Sequence, residues 1–279
     1  MKFSLTNQFK EKLKDEIQNQ NVDFIKRSFD GISYIDITEL LSEFNSVDSK
    51  YVIDNIDIET SAMIISELDE DDRKNFLKIF SAKEISKFIM IIDSDDAVDV
   101  LSELDEEKRD KTILEINDLE KSKNLKKLLK YDDNVAGGLM AIELVKCNIN
   151  WKINQCIDLI KKQAENVSNI YSVYVTDNKG KLLGKVSLKD IILAKDNSRI
   201  KDVYDDYIIS VDANMDQEEV SQIMQKYDLT VLPVINKRGK LLGRITIDDV
   251  VDVITETAEE ERQIMSGITS DVEEDDSVW

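Results

Sequence analysis

Apolar residues recur at helical spacing through the first 130 or so positions of the chain. Phe76, Ile79 and Phe80 share one helix face, and Ile85, Phe88, Ile89 and Ile92 share another. Proline is absent from this half and glycine almost so, which leaves the period unbroken over long stretches. Asp69, Ser81 and Ser94 stand at N-cap positions, each shortly before acidic residues. The string Ser66-Glu67-Leu68-Asp69-Glu70 returns as Ser102-Glu103-Leu104-Asp105-Glu106, 36 residues later. A period near 36 in a helical stretch predicts stacked helix pairs, an α-solenoid over residues 1–130. Such arrays present a surface to a partner more often than they enclose an active site.

The pattern changes at Tyr131-Asp132-Asp133-Asn134-Val135-Ala136-Gly137-Gly138-Leu139-Met140, where paired glycines break the helical period. Short β-rich runs then alternate with helical ones. Strands are predicted over 144–148, 172–176 and 182–187, with helices over 153–164 and 189–194. A second copy follows, with strands over 208–211, 231–235 and 241–246 and helices over 216–227 and from 247 onward. The duplication is visible in the letters: Gly180-Lys-Leu-Leu-Gly-Lys-Val-Ser-Leu-Lys-Asp190 returns as Gly239-Lys-Leu-Leu-Gly-Arg-Ile-Thr-Ile-Asp-Asp249, 59 residues on. The copies are placed at 131–199 and 200–256. Pro233, the one proline, falls in a predicted strand and implies an edge or a bulge.

The longest apolar stretches, such as Phe88 to Ile92, run five or six residues, against about 20 for a spanning helix. The formal charge is −21, with 58 acidic against 37 basic residues, which argues against nucleic acid and favours cations as partners. Histidine is absent, removing the commonest general base and zinc ligand. Cys147 and Cys156 fit no zinc or redox spacing and read as buried thiols. No phosphate-binding glycine loop or partnered nucleophile is present, so the sequence does not read as an enzyme. Any bound metal should be a hard one, held by carboxylates and carbonyls.

Several carboxylates are spaced to project from one helix face. Asp95 and Asp99 are four apart, and Asp249 and Asp252 are three apart. Glu256, Glu259 and Glu260 extend the second stripe, while Asp216 and Glu218 open a helix that closes at Asp228. A solvated acidic face accounts for most such residues in so acidic a chain. Facing stripes bridged by a divalent cation would turn their repulsion into attraction, and Mg²⁺ typically takes one or two carboxylates and keeps several waters.

Each copy of the duplicated unit ends in Gly-x-[Ile/Val]-[Ser/Thr]-x-x-Asp and resembles a CBS domain. Ser187 with Asp190 and Thr246 with Asp249 supply the hydroxyl and carboxylate, which in that family often hold an adenosine ribose; both pairs also read as helix caps. With the helical half included, the chain resembles the cytosolic region of the MgtE family of magnesium transporters. The strings Ala136-Gly-Gly-Leu-Met140, Asp216-Gln-Glu-Glu-Val220 and Tyr227-Asp-Leu-Thr-Val-Leu-Pro-Val234 carry that resemblance.

The resemblance implies an α+β multidomain chain: a superhelical all-α N-terminal domain, a tandem CBS pair and an acidic connecting helix over 257–279 that would lead to a membrane pore. It implies a magnesium-sensing region at the cytoplasmic face of the membrane, homodimeric through the CBS pair. Regulatory Mg²⁺ ligands would map onto Asp95, Asp99, Gly138 through its carbonyl, Asp216, Glu218, Asp228, Asp249, Asp252, Glu260 and Glu261. Met63 and Thr257 stand where acidic ligands would be expected. Nucleotide contacts would map onto Ser187, Lys189, Asp190 and Thr246, while Ser172 and Leu229 depart from the pattern, so the implied ATP binding is weak. The alternative reading is an adenine-nucleotide-sensing CBS module that binds a partner protein through its helical domain.

Overall fold

The computed structural model describes residues 6–164, 170, 172–195, 197–251 and 253–255. It divides into two units, residues 1–130 and 131–279. Asp252, Glu260, Glu261, Thr257 and the proposed connecting helix lie outside the described residues.

The first unit is all helix among the described residues: α1 (Asn7–Gln18), α2 (Val22–Phe29), α3 (Tyr34–Ser42), α4 (Ser46–Asn55), α5 (Ile58–Glu67), α6 (Glu70–Leu77), α7 (Ala82–Ile89), α8 (Ser94–Ser102), α9 (Glu106–Glu115) and α10 (Leu119–Leu128). Helices of 8 to 12 residues are marginal alone, so packing must hold them. The apolar stripes supply it: Ile25, Ile37, Ile64, Ile85 and Leu101 are fully buried. α3 packs on α5, α5 on α7 and α7 on α9, the layered contact of a solenoid.

The repeat differs from the expected helix pair. Shifting α5 by 36 residues gives 94–103, where α8 lies; shifting α6 gives 106–113, inside α9; shifting α7 gives 118–125, which overlaps α10. The same shift carries α2, α3 and α4 onto α5, α6 and α7. Three short helices fill each period, because caps cut the chain more often than hydrophobic spacing reveals. Asn21, Asn45, Asp57, Asp105 and Asp118 each accept a backbone N–H bond at a helix start. Ser81 forms a reciprocal capping box with Glu84. Hydrogen bonds from Lys50 and Ser81 lower the Glu84 carboxyl to about 2. Asp69 is an N-cap as expected, but Asp93 is the N-cap of α8, and Ser94 is its first, fully buried residue.

The second unit holds two three-stranded sheets. In the first, β1 (Val145–Asn148) runs parallel to β2 (Val173–Thr176), which is antiparallel to β3 (Leu182–Val186). α11 (Ile153–Ala164) makes the crossover, and α12 (Leu188–Leu193) follows β3. The second sheet repeats this with β4 (Val211–Asp212), α13 (Gln217–Lys226), β5 (Val231–Ile235) and β6 (Leu241–Thr246). A 3-10 turn at Asp248–Val250 then opens helical backbone at 251 and 253–255. β4 lies later than the expected 208–211 and is shorter, sharing only Val211 with it and placing two residues in the ladder.

Pro233 sits in the central strand of its sheet, which corrects the edge alternative. β4 begins its register at Val234, so no β4 residue stands opposite Pro233, and a register irregularity follows between Val234 and Ile235. The two copies meet at their hairpin turns: Leu182 donates its N–H to the Gly239 carbonyl at 2.9 Å, and Leu241 donates to that of Gly180 at 3.0 Å. The opening segment of the first copy, 136–141, packs on the second. Ala136 donates to the Met215 carbonyl and Gly137 to that of Ala213, both at 2.8 Å, and Ala141 exchanges two bonds with Arg244. A Cβ at Gly243 would stand 2.5 Å from the Ala141 carbonyl oxygen, which is why β6 carries glycine at this crossing. Cys147 and Cys156 are free, buried thiols in the core of the first copy.

Candidate functional site

The two hydroxyl–carboxylate pairs have different geometries. Ser187 is the N-cap of α12, accepting the Asp190 N–H at 3.0 Å and donating its hydroxyl to Asp190 Oδ2 at 2.6 Å. Ser187, Lys189 and Asp190 are all exposed. In the second copy Thr246 is buried and Asp249 half-buried. Burial pushes the Asp249 carboxyl up to about 6, against the bonds from Thr246; nearby Asp248 pushes the same way and Arg244 opposes it.

Arg244 was not singled out from sequence. It is buried on β6, donates Nε–H to the Glu143 carbonyl at 2.8 Å, and stands where the first copy has Lys185. That lysine-to-arginine difference was the available signal, since buried cations favour guanidinium. On β2, the buried Tyr174 hydroxyl has no hydrogen-bond partner among the described residues, and burial raises its pKa.

The acidic candidates are held by ordinary elements. Asp216 is the N-cap of α13 and accepts the Glu218 N–H at 2.8 Å; both side chains are exposed. Asp228 follows the helix with φ +51°, and Leu229 donates past it to the Met224 carbonyl at 2.9 Å. That closure usually takes glycine, so an aspartate here accepts backbone strain. Gly138 is half-buried, and a Cβ there would meet the Asp132 carbonyl oxygen at 2.5 Å, so only glycine offers its backbone at this point.

On α8, Asp95 is half-buried and Asp99 exposed. Asp99 lies near Arg73, a residue that no sequence motif marks. Arg73 donates to Glu103 through Nε and Nη2 and to the Ser66 carbonyl at 2.8 Å. Burial works to lower its pKa, but Glu103, then Asp99 and Asp96, raise it. Met63 is half-buried on α5. No three acidic, cysteine or histidine residues among those described converge on a metal-sized site, and no described helix is long and apolar enough to cross a membrane. The candidates are hard oxygen donors, the set that suits Mg²⁺.

The MgtE intracellular N domain family model matches residues 32–134, and the CBS domain model matches 136–197 and 200–256. A magnesium transporter MgtE of Thermus thermophilus is 37% identical over 134 residues, covering 48% of this chain and 30% of that protein. One of Enterococcus faecalis is 37% identical over 155 residues, covering 56% and 34%. The chain thus spans about a third of the length of the curated relatives it matches. A crystal structure of the cytosolic domain of the Mg²⁺ channel MgtE in complex with ATP superposes with TM-score 0.81 at 27% identity, covering 88% of this chain and 99% of that one. A helical repeat unit, two fused β-α-β-β-α copies and these matches over most of both place the chain in the MgtE family, of which it carries the intracellular N domain and the CBS pair.

Proposed function

We propose that this chain is the magnesium-sensing region of a magnesium channel or transporter, attached in the whole protein to a transmembrane pore. In this reading Mg²⁺ bridges acidic faces of the helical unit, the CBS pair and the segment after residue 256, and favours a compact, closed state. The observation that carries it is Asp249, a half-buried carboxylate pushed up to about 6 by burial. A nearby divalent cation would offset that burial. Asp228, held at φ +51° where glycine is usual, supports the same reading. Asp95, Asp99, Asp216, Glu218 and the Gly138 carbonyl would complete the ligands, with Asp252, Glu260 and Glu261 from beyond the described residues. A cation shifts such an equilibrium only by its preference for the compact state, so several weak sites acting together suit the task. Ile192 and Leu193 on α12 are 78% and 71% exposed, which supports a homodimer through the CBS pair.

Small-angle scattering with and without millimolar Mg²⁺ tests the proposal. The radius of gyration should fall on adding Mg²⁺; an unchanged value would refute it.

A second reading, adenine-nucleotide sensing, is favoured by the exposed Ser187, Lys189 and Asp190 cap, with Thr246 as its counterpart. Asp190 would accept ribose hydroxyls and Lys189 would face phosphate. The two readings are compatible, since Mg²⁺ and ATP would use different carboxylates of the duplicated motif.

A further inference from the structure

A cavity of about 240 Å³ lies at the turn end of the first CBS copy, lined by Lys146, Trp151, Gln163, Thr176, Gly180 and Lys240 among others. Its lining includes no carboxylate, in a chain of net charge −21. Lys146 and Lys240 join none of the ion pairs among the described residues. Lys240 crosses Gly180 so closely that a Cβ there would lie 3.3 Å from its Cε, which holds the ammonium stem at the rim. Gln163 accepts the Lys146 N–H at 3.2 Å and ties α11 to β1 along one wall.

The duplication shows that this chemistry belongs to one copy. Asn150 donates to Asn148 Oδ1 and Trp151 to the Asn148 carbonyl; Asn214 and Met215 make the same two bonds to Asp212. The copies are therefore related here by 64 residues, from Asn150 to Asn214. Trp151 becomes Met215, Asn148 becomes Asp212 and Lys146 becomes Ser210. The second copy thus puts a carboxylate in place of a neutral amide and loses both the ring and one of the cations.

We propose that this cavity binds a small phosphorylated aromatic ligand of the mononucleotide type, its ring against Trp151 and its phosphate on Lys146 and Lys240. Aromatic faces stack bases with little selectivity, and lysine ammoniums pair readily with phosphate. The volume is below the roughly 300–1,000 Å³ of sites for drug-sized ligands, so it suits one ring system with the charged group at the rim. The site is separate from the Ser187–Asp190 cap and does not depend on the sensing function proposed above.

The chain has two tryptophans, so Trp279→Phe leaves Trp151 as its only indole reporter. In metal-free buffer, AMP and ADP should change Trp151 emission saturably. Pyrophosphate, which lacks the ring, and adenosine, which lacks the phosphate, should bind about tenfold or more weaker. Lys146→Glu and Lys240→Glu, both at exposed positions, should each weaken the Trp151 response to ADP about tenfold or more, and Lys226→Glu, at an exposed position outside the cavity lining, should leave it unchanged. Absence of both an emission change and calorimetric heat at millimolar ADP would overturn the proposal. So would binding lost in Asp190→Ala but kept in Lys240→Glu, or pyrophosphate binding as tightly as ADP.

Discussion

Thr246 donates both its backbone N–H and its hydroxyl to Asp249 Oδ2, at 2.6 and 2.8 Å. The matching Ser187 instead accepts from the Asp190 N–H while donating to its carboxylate. One motif has become an exposed helix cap in the first copy and a partly buried carboxylate clamp in the second.

The clamp predicts a pH dependence. Burial, the largest cause, raises the Asp249 carboxyl from 3.8 to about 6, so the folded state holds its proton more tightly than the unfolded chain. Its contribution to stability is fully present below pH 4 or so and is lost as pH rises through about 6. Metal-free protein should therefore gain stability from this group on acidification from pH 7 to 5, by about 1 kcal/mol, since roughly one pH unit below the folded value is crossed. Asp249→Asn should remove that component while remaining at least as stable at pH 7. Denaturant titrations at several pH values would show it, and an unchanged slope in the variant would disprove the assignment.

Arg73 and Glu103 predict the opposite kind of effect. Their pair links α6 to the end of α8, with side chains only 11% and 6% exposed, and a third bond reaches the Ser66 carbonyl. Removing one partner leaves a buried charge alone. Arg73→Met should cost about 3–5 kcal/mol, and Glu103→Gln somewhat less because its amide still accepts. Thermal melts of each single variant and the double would resolve the coupling; a loss below about 1 kcal/mol for Arg73→Met would mean that solvent replaces the pair.

These cases show what the sequence made legible. The duplication, the strand–helix order of the CBS pair and the extents of α11, β5 and β6 follow from period and turn residues. The carboxylates of Asp95, Asp216 and Asp249 stood out through spacing and family resemblance. Ser94 did not reveal that Asp93 caps α8, because two adjacent capping residues differ only by backbone geometry. The three-helix repeat was hidden because SELDE marks one helix junction per period and says nothing of the others. Arg73, Arg244 and Trp151 matter through contacts made far along the chain, which local pattern does not encode.

Asp228 offers a test that separates capping from ligation. An aspartate at φ +51° carries a conformational cost of about 1 kcal/mol that glycine does not. Asp228→Gly should therefore raise metal-free stability by up to that amount. If Asp228 also holds Mg²⁺, the same variant should gain less stability from Mg²⁺ than the wild type. Melting both proteins with and without Mg²⁺ gives the comparison; an equal Mg²⁺ gain would leave Asp228 as a helix terminus only.

The bridging reading makes the sharpest claim about Asp95 and Asp249. Each is half-buried and belongs to a different unit, Asp95 on α8 and Asp249 after β6. Mutual repulsion of carboxylates should cost the metal-free compact state, and Mg²⁺ should reverse the sign. Asp95→Asn and Asp249→Asn should each shift the Mg²⁺ concentration for compaction upward several-fold, and the double variant should shift it less than the product of the two. Non-additivity is expected because one bridging ion loses its purchase when either end is gone. Scattering titrations on the four proteins would measure this. Independent, multiplicative shifts would place the two carboxylates in separate sites, and no shift in either would remove both from magnesium sensing.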